Sequence, residues 1–184
     1  MKTQAYIYLE SDQVYGDYID HFYNEHNIKS AQWFFEKVYP LLPLNISICV
    51  VGRICNYIGD YSNVTKIEFV EDLDTLYKQS KITICPMLSG TGVKIKVIES
   101  LSFGLPVVCN ERGVDGLLNK NNNGCLVAED ENQFANNIIK LLKKEEFYNI
   151  IKSEAISFFD KNHSQSIVYQ KLDKIFEIEK SVVN

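Results

Sequence analysis

Six short apolar runs rich in β-branched and aromatic residues punctuate the chain, at residues 5–9, 46–51, 66–70, 82–85, 106–109 and 125–128. Each has the length of a strand. Between them apolar residues recur at helical spacing, over 28–42 with Trp33, Phe34 and Val38, over 72–80, over 93–103, and briefly near 114–118. Residues 53–66 show no helical period and read as loop. Strand alternating with helix predicts an α/β fold whose right-handed crossovers make a parallel sheet covered on both faces.

The element boundaries carry their own chemistry. Gly104 follows the 93–103 helix as a left-handed C-terminal cap, and Pro106 blocks continuation. Asp130 with Gln133 reads as a capping pair opening a helix whose stripe is Phe134, Ile138, Leu141 and Leu142. Two more helices follow, one with Phe147, Ile150, Ile151 and Ile156, the other with Val168, Leu172, Ile175 and Phe176. Six parallel strands most often take the doubly wound order 3-2-1-4-5-6, with strand one beside strand four. The ligand crevice then opens at the end of strand four, at residues 86–92, facing the loop at 10–18.

The residues at that place suit an anion. Gly90 and Gly92 flank Thr91 where the chain must turn, and a turn without Cβ atoms lets backbone N–H groups approach a ligand. The following helix start favours phosphate, Lys94 and Lys96 add full charges within its first turn or so, and Glu99 shares a face with Lys96. A plainer reading is a common turn followed by solvated charge and a surface ion pair of small value. The dinucleotide and P-loop fingerprints are both absent.

Length and composition narrow the classes. With 184 residues, 46% of them hydrophobic, the chain reads as a single domain over 1–184, its C-terminal helices at about 145–180. A net charge of −5 with lysines scattered among acids argues against a nucleic-acid partner. No run of eighteen apolar residues and no signal-peptide core is present, so a soluble, cytoplasmic protein is expected, with any membrane association running through a partner. Cys49, Cys55, Cys85, Cys109 and Cys125 lack metal-ligand spacing and read as buried free thiols. His21, His26 and His163 are too scattered for a metal site and read as surface or capping residues. The Asn-X-Ser/Thr triplets at Asn45, Asn63 and Asn162 are attributed to chance in an Asn-rich chain.

Taken together, Asn27-Ile-Lys-Ser-Ala-Gln-Trp-Phe-Phe-Glu-Lys-Val-Tyr-Pro40, Val50-Val-Gly-Arg53, Phe69-Val-Glu-Asp-Leu73 with Leu76-Tyr77, Gly90-Thr-Gly-Val-Lys-Ile-Lys-Val-Ile-Glu99 and Gly104-Leu-Pro-Val-Val108 resemble the C-terminal, donor-binding domain of group-1, family 4-like glycosyltransferases of the GT-B fold. The resemblance implies one Rossmann-like half of that fold, holding a nucleotide-diphosphate sugar for retaining transfer without a metal or other cofactor. It implies that Gly90, Thr91 and Gly92 hold the diphosphate with Lys94 and Lys96 assisting, and that Glu99 binds the ribose hydroxyls. Gly52, Arg53, Val70 and Glu71 fall where the family holds the base and its ribose.

The chain also departs from that pattern. Many relatives carry a glutamate eight residues before the one matching Glu99, where this chain has Thr91. Residues 11–24 replace a short glycine-containing turn. The family's acceptor-binding domain is not expected within this chain, so catalysis is expected to need that domain or a subunit supplying it, and the catalytic residues stay unassigned. Glu111, Arg112 and Asp115 read as surface charges as readily as catalytic groups. A non-catalytic nucleotide-sugar or sugar-phosphate binding module is the alternative, and a structural domain whose glycine turn is only a turn is a third. By family analogy the helix at 166–178 reaches the partner domain, so part of its apolar face is expected to be exposed.

Overall fold

The structure, a computed structural model, describes the backbone of residues 3–8 and 20–182 and the side chains of residues 25–176. The strands are β1 (Thr3–Tyr8), β2 (Ile46–Val51), β3 (Val64–Ile67), β4 (Ile82–Cys85), β5 (Val107–Asn110) and β6 (Cys125–Ala128). They pair in the order β3-β2-β1-β4-β5-β6. β2 and β3 form one parallel group and β4, β5 and β6 another, with β1 parallel to β2 on one side and to β4 on the other.

Alternation along each strand divides the core between two faces. Ile48 and Val50 of β2, Ile82 and Ile84 of β4 and Val108 of β5 enter one apolar cluster with Phe34, Phe134 and Ile138. Cys85, Val107 and Cys109 enter a second with Val97, Leu101, Ala155 and Phe158, and Cys49 and Val51 a third with Tyr77 and Leu105. The first face is covered by α1 (Asp20–Trp33) and α4 (Glu131–Lys143). The second face is covered by α2 (Leu73–Gln79), α3 (Ile95–Ser102) and α5 (Glu145–Asn162). A last helix, α6 (Gln165–Val182), follows α5, and its Val168, Leu172, Ile175 and Phe176 are exposed.

Several boundaries differ from the sequence expectation. The first helix begins at Asp20 rather than 28, while the expected loop at 10–18 lies outside the described residues. Its end is not regular: a π-helical turn over Phe34–Val38, closed by the Tyr39 N–H on the Phe34 carbonyl, lets Phe34, Phe35 and Val38 all enter the core. Pro40, having no N–H, cannot continue an α-helix, and a 3-10 turn over Tyr39–Leu41 finishes the segment. The stretch expected to be loop contains a 3-10 helix at Arg53–Tyr57, and the third strand is Val64–Ile67 rather than 66–70. The short helix expected near 114–118 is a 3-10 turn at Glu111–Val114.

The caps follow the local chemistry. Gly104, at φ +66°, donates to the Leu101 carbonyl while Leu105 donates to Ser100, the paired bonds of a left-handed helix end. Asp130 caps α4 by accepting the Gln133 N–H at 2.7 Å, and Gln133 reaches back to the Glu129 N–H, one residue earlier than the usual reciprocal partner.

Candidate functional site

Because the strands are parallel, everything that follows a strand end gathers along one edge of the sheet. Gly52 and Arg53 follow β2, Val70 and Glu71 follow β3, and Gly90, Thr91, Gly92, Lys94, Lys96 and Glu99 follow β4. Gly52 has φ +106° and donates its N–H to the Ile67 carbonyl at 2.8 Å, which ties the two strand ends together. Arg53 and Glu71 are exposed, while Val70 packs partly against the Tyr77 cluster.

The glycine turn needs its glycines for conformation rather than for crowding. Gly90 and Gly92 have φ of +95° and +78°, and a Cβ built on Gly92 meets no heavy atom within 4 Å. The turn therefore leaves open space over a stretch of backbone. The helix behind it starts later than expected, at Ile95, with Lys94 as its N-cap residue. Lys94 is 8% exposed, and its ammonium donates to the carbonyls of Gly92 at 2.9 Å and Thr91 at 3.3 Å. It grips the turn from inside. Lys96, the second residue of the helix, donates to Asn27 Oδ1 at 3.4 Å. Burial pushes the Cys85 thiol at the end of β4 up to about 12, against a smaller opposing pull from Lys96 and Lys94, so both cations lie near that strand end.

Glu99 lies on α3 and accepts a 3.2 Å hydrogen bond from the Tyr77 hydroxyl of α2. On the other flank, α1 meets the turn at three points. His26 Nδ1 shares a hydrogen bond with Ser89 Oγ, Ser30 Oγ accepts the Leu88 N–H at 3.2 Å, and Asn27 takes the Lys96 bond. Asn27, Ser30 and Tyr77 lie in the family-like segments, yet no role at the site is legible in the sequence for them, nor for His26 or Ser89. His26 is 63 residues from Ser89, and only the packing of α1 beside the β4 loop brings them together. Beyond β5, Asp115 pairs with Arg112 at 3.2 Å and Lys120 at 3.7 Å, and the Arg112 hydrogen bond holds its carboxyl below the usual carboxylate range. All five cysteines are buried free thiols. Among the described residues no three His, Cys, Asp or Glu side chains cluster as metal ligands, and no helix is long and apolar enough to cross a membrane.

The family described as glycosyl transferases group 1 matches residues 18–144. The chain belongs to that family. A relative from Klebsiella pneumoniae, an uncharacterized 44.6 kDa protein in the cps region, is 25% identical over 172 residues, 85% of this chain and 44% of its own length. Anabaena HepE, solved in complex with UDP and glucose, superposes with a TM-score of 0.71 at 13% identity, over 96% of this chain and 48% of HepE. WaaG, a glycosyltransferase involved in lipopolysaccharide biosynthesis, gives 0.61 at 18% identity, over 95% of this chain and 47% of its own. The C-terminal domain of LpcC, a group 1 family protein from Francisella tularensis, gives 0.58 at 14% identity and is itself covered over 87% of its length. This group 1 chain therefore has the fold of a Rossmann-like GT-B domain and spans about half the length of its longer relatives.

Proposed function

We propose that this chain is the donor-binding half of a glycosyltransferase, holding a nucleotide-diphosphate sugar along the strand-end edge, with its six strands acting as one doubly wound sheet. The observation that carries this reading is the open turn at Gly90–Gly92, placed at the end of β4 and followed by the N-terminus of α3. Free N–H groups, the helix dipole and the Lys96 ammonium supply positive potential there without the protein having to reorganise. Lys94 contributes by fixing the turn. Glu99 would take the ribose hydroxyls, and the loops at Gly52–Arg53 and Val70–Glu71 the base. In transfer with retention at the anomeric carbon, these groups would stabilise the departing diphosphate, so the reading calls for no metal. The complexes of HepE make UDP the first probe.

Transfer also requires the acceptor nucleophile to be held near the anomeric carbon while water is excluded, a task that falls to a second domain or subunit. Calorimetry with UDP tests binding, and transfer of labelled sugar from a donor panel tests activity. The chain alone should bind UDP and turn over slowly or not at all. Failure to bind UDP or another nucleoside diphosphate would overturn the reading, and rapid multiple turnover by a verified monomer would overturn the half-enzyme part of it. If donor binds and no candidate acceptor domain restores transfer, the chain is a nucleotide-sugar binding module.

A further inference from the structure

The glycine turn is clasped by α1 on both sides. Ahead of Gly90, Ser30 Oγ accepts the Leu88 N–H at 3.2 Å and donates to the His26 carbonyl at 2.6 Å, while the His26 ring bonds the Ser89 hydroxyl. Behind Gly92, Asn27 holds Lys96. Ser89 is thus the residue at the mouth of the turn, and its hydroxyl has one proton to give. Where that proton goes depends on His26, because a ring nitrogen without hydrogen accepts it, whereas a ring N–H donates to the Ser89 oxygen and leaves the serine proton for another acceptor.

Resting on the donor-binding reading above, we propose that His26 is a positioning residue that aims Ser89 as a further hydrogen-bond donor to the phosphate in the Gly90–Gly92 turn. An arriving anionic oxygen takes the Ser89 proton as a hydrogen bond. The Ser89 oxygen then accepts from His26, which must carry its hydrogen on Nδ1. Anion binding therefore selects one ring tautomer, and no bond to hydrogen is lost in the exchange. His26 is exposed, so the ring can take up that form without a desolvation penalty. On the chain beside His26, Asn27 accepts from Lys96 of α3 at 3.4 Å, and Glu25 and Lys29 of α1 form an ion pair 2.6 Å apart.

The test uses the whole chain with UDP and uridine as paired probes. Ser89→Ala and His26→Ala should each weaken UDP binding about tenfold, the scale of one hydrogen bond to a charged group. The double variant should lose no more than either single one, because both act through the same proton. Uridine affinity should not change. His26→Asn, whose amide can stand in for Nδ1, should restore most of the UDP affinity. Nitrogen NMR of His26 at mildly alkaline pH should show a shift toward the Nδ1–H tautomer on adding UDP and none on adding uridine. Unchanged UDP affinity in the variants, additive losses, equal losses for uridine, or a tautomer indifferent to UDP would each overturn the assignment while leaving the donor-binding reading standing. A wild-type chain that binds no UDP would overturn both.

Discussion

Tyr77 of α2 donates its hydroxyl to Glu99 Oε2 of α3 across 3.2 Å, so the carboxylate proposed for the ribose is aimed from a neighbouring helix. Tyr77 is itself fixed, being 6% exposed and stacked on Phe103 with ring centres 4.9 Å apart. Tyr77→Phe keeps the ring and removes the hydroxyl that makes the aiming bond. It should weaken UDP binding severalfold, Glu99→Ala should weaken it further, and neither should change the affinity for inorganic diphosphate in the same titration. Equal losses for both ligands would mean that Glu99 only orders the helix.

The two lysines should separate cleanly by experiment. Lys94 is buried and holds two carbonyls of the turn, so Lys94→Met should cost about 1–3 kcal/mol of stability in a urea titration. Lys96 is half-buried and reaches Asn27 of α1 over a long 3.4 Å contact, so Lys96→Ala should cost less stability than Lys94→Met, under about 1 kcal/mol. It should instead weaken UDP binding about tenfold. The reverse assignment of the two effects would contradict the geometry.

Two glycines at positive φ offer a comparison that isolates crowding from backbone preference. Gly92→Ala adds a methyl into open space and should cost about 1–2 kcal/mol, the penalty of a left-handed conformation for an L-residue. Gly124, at φ +84°, would place its Cβ 2.4 Å from the Ala155 Cβ and 2.5 Å from the Ala155 Cα, a backbone atom of α5 that cannot step aside. Gly124→Ala should therefore cost more than about 3 kcal/mol, adding overpacking to the same conformational penalty. Thermal melting of the pair decides it.

Burial raises the Cys49 thiol to about 11 and the Cys85 thiol to about 12, from an ordinary value of 9.0. The folded chain then holds these protons more tightly than the unfolded chain does. The contribution of these two thiols should be constant below about pH 9, be lost as pH rises from there toward 12, and be recovered on returning to neutral pH. Denaturant titrations across that range check the sign. Thiol reagents should label Cys49 and Cys85 only as fast as the protein opens.

The sequence alone carried the alternation of strand and helix, the β2, β4 and β6 boundaries, the Gly104 and Asp130 caps and the position of the glycine turn. These are local decisions, set by side-chain periodicity, by the missing Cβ of glycine and by short hydrogen bonds within a few residues. Tertiary structure decided how the turn is equipped. Lys94 reads as one more cation on the helix start, yet packing buries it and directs it at carbonyls, while Lys96 two residues later is left to face α1. The early start of α1 was hidden because residues 20–27 are mostly polar and carry no apolar stripe, and the described bonds from α1 to the β4 loop and α3 come from His26, Asn27 and Ser30. His26 with Ser89, and Tyr77 with Glu99, come together across 63 and 22 residues. No local period can encode such meetings, because they exist only once a parallel sheet has brought its strand ends to one edge and laid helices beside them.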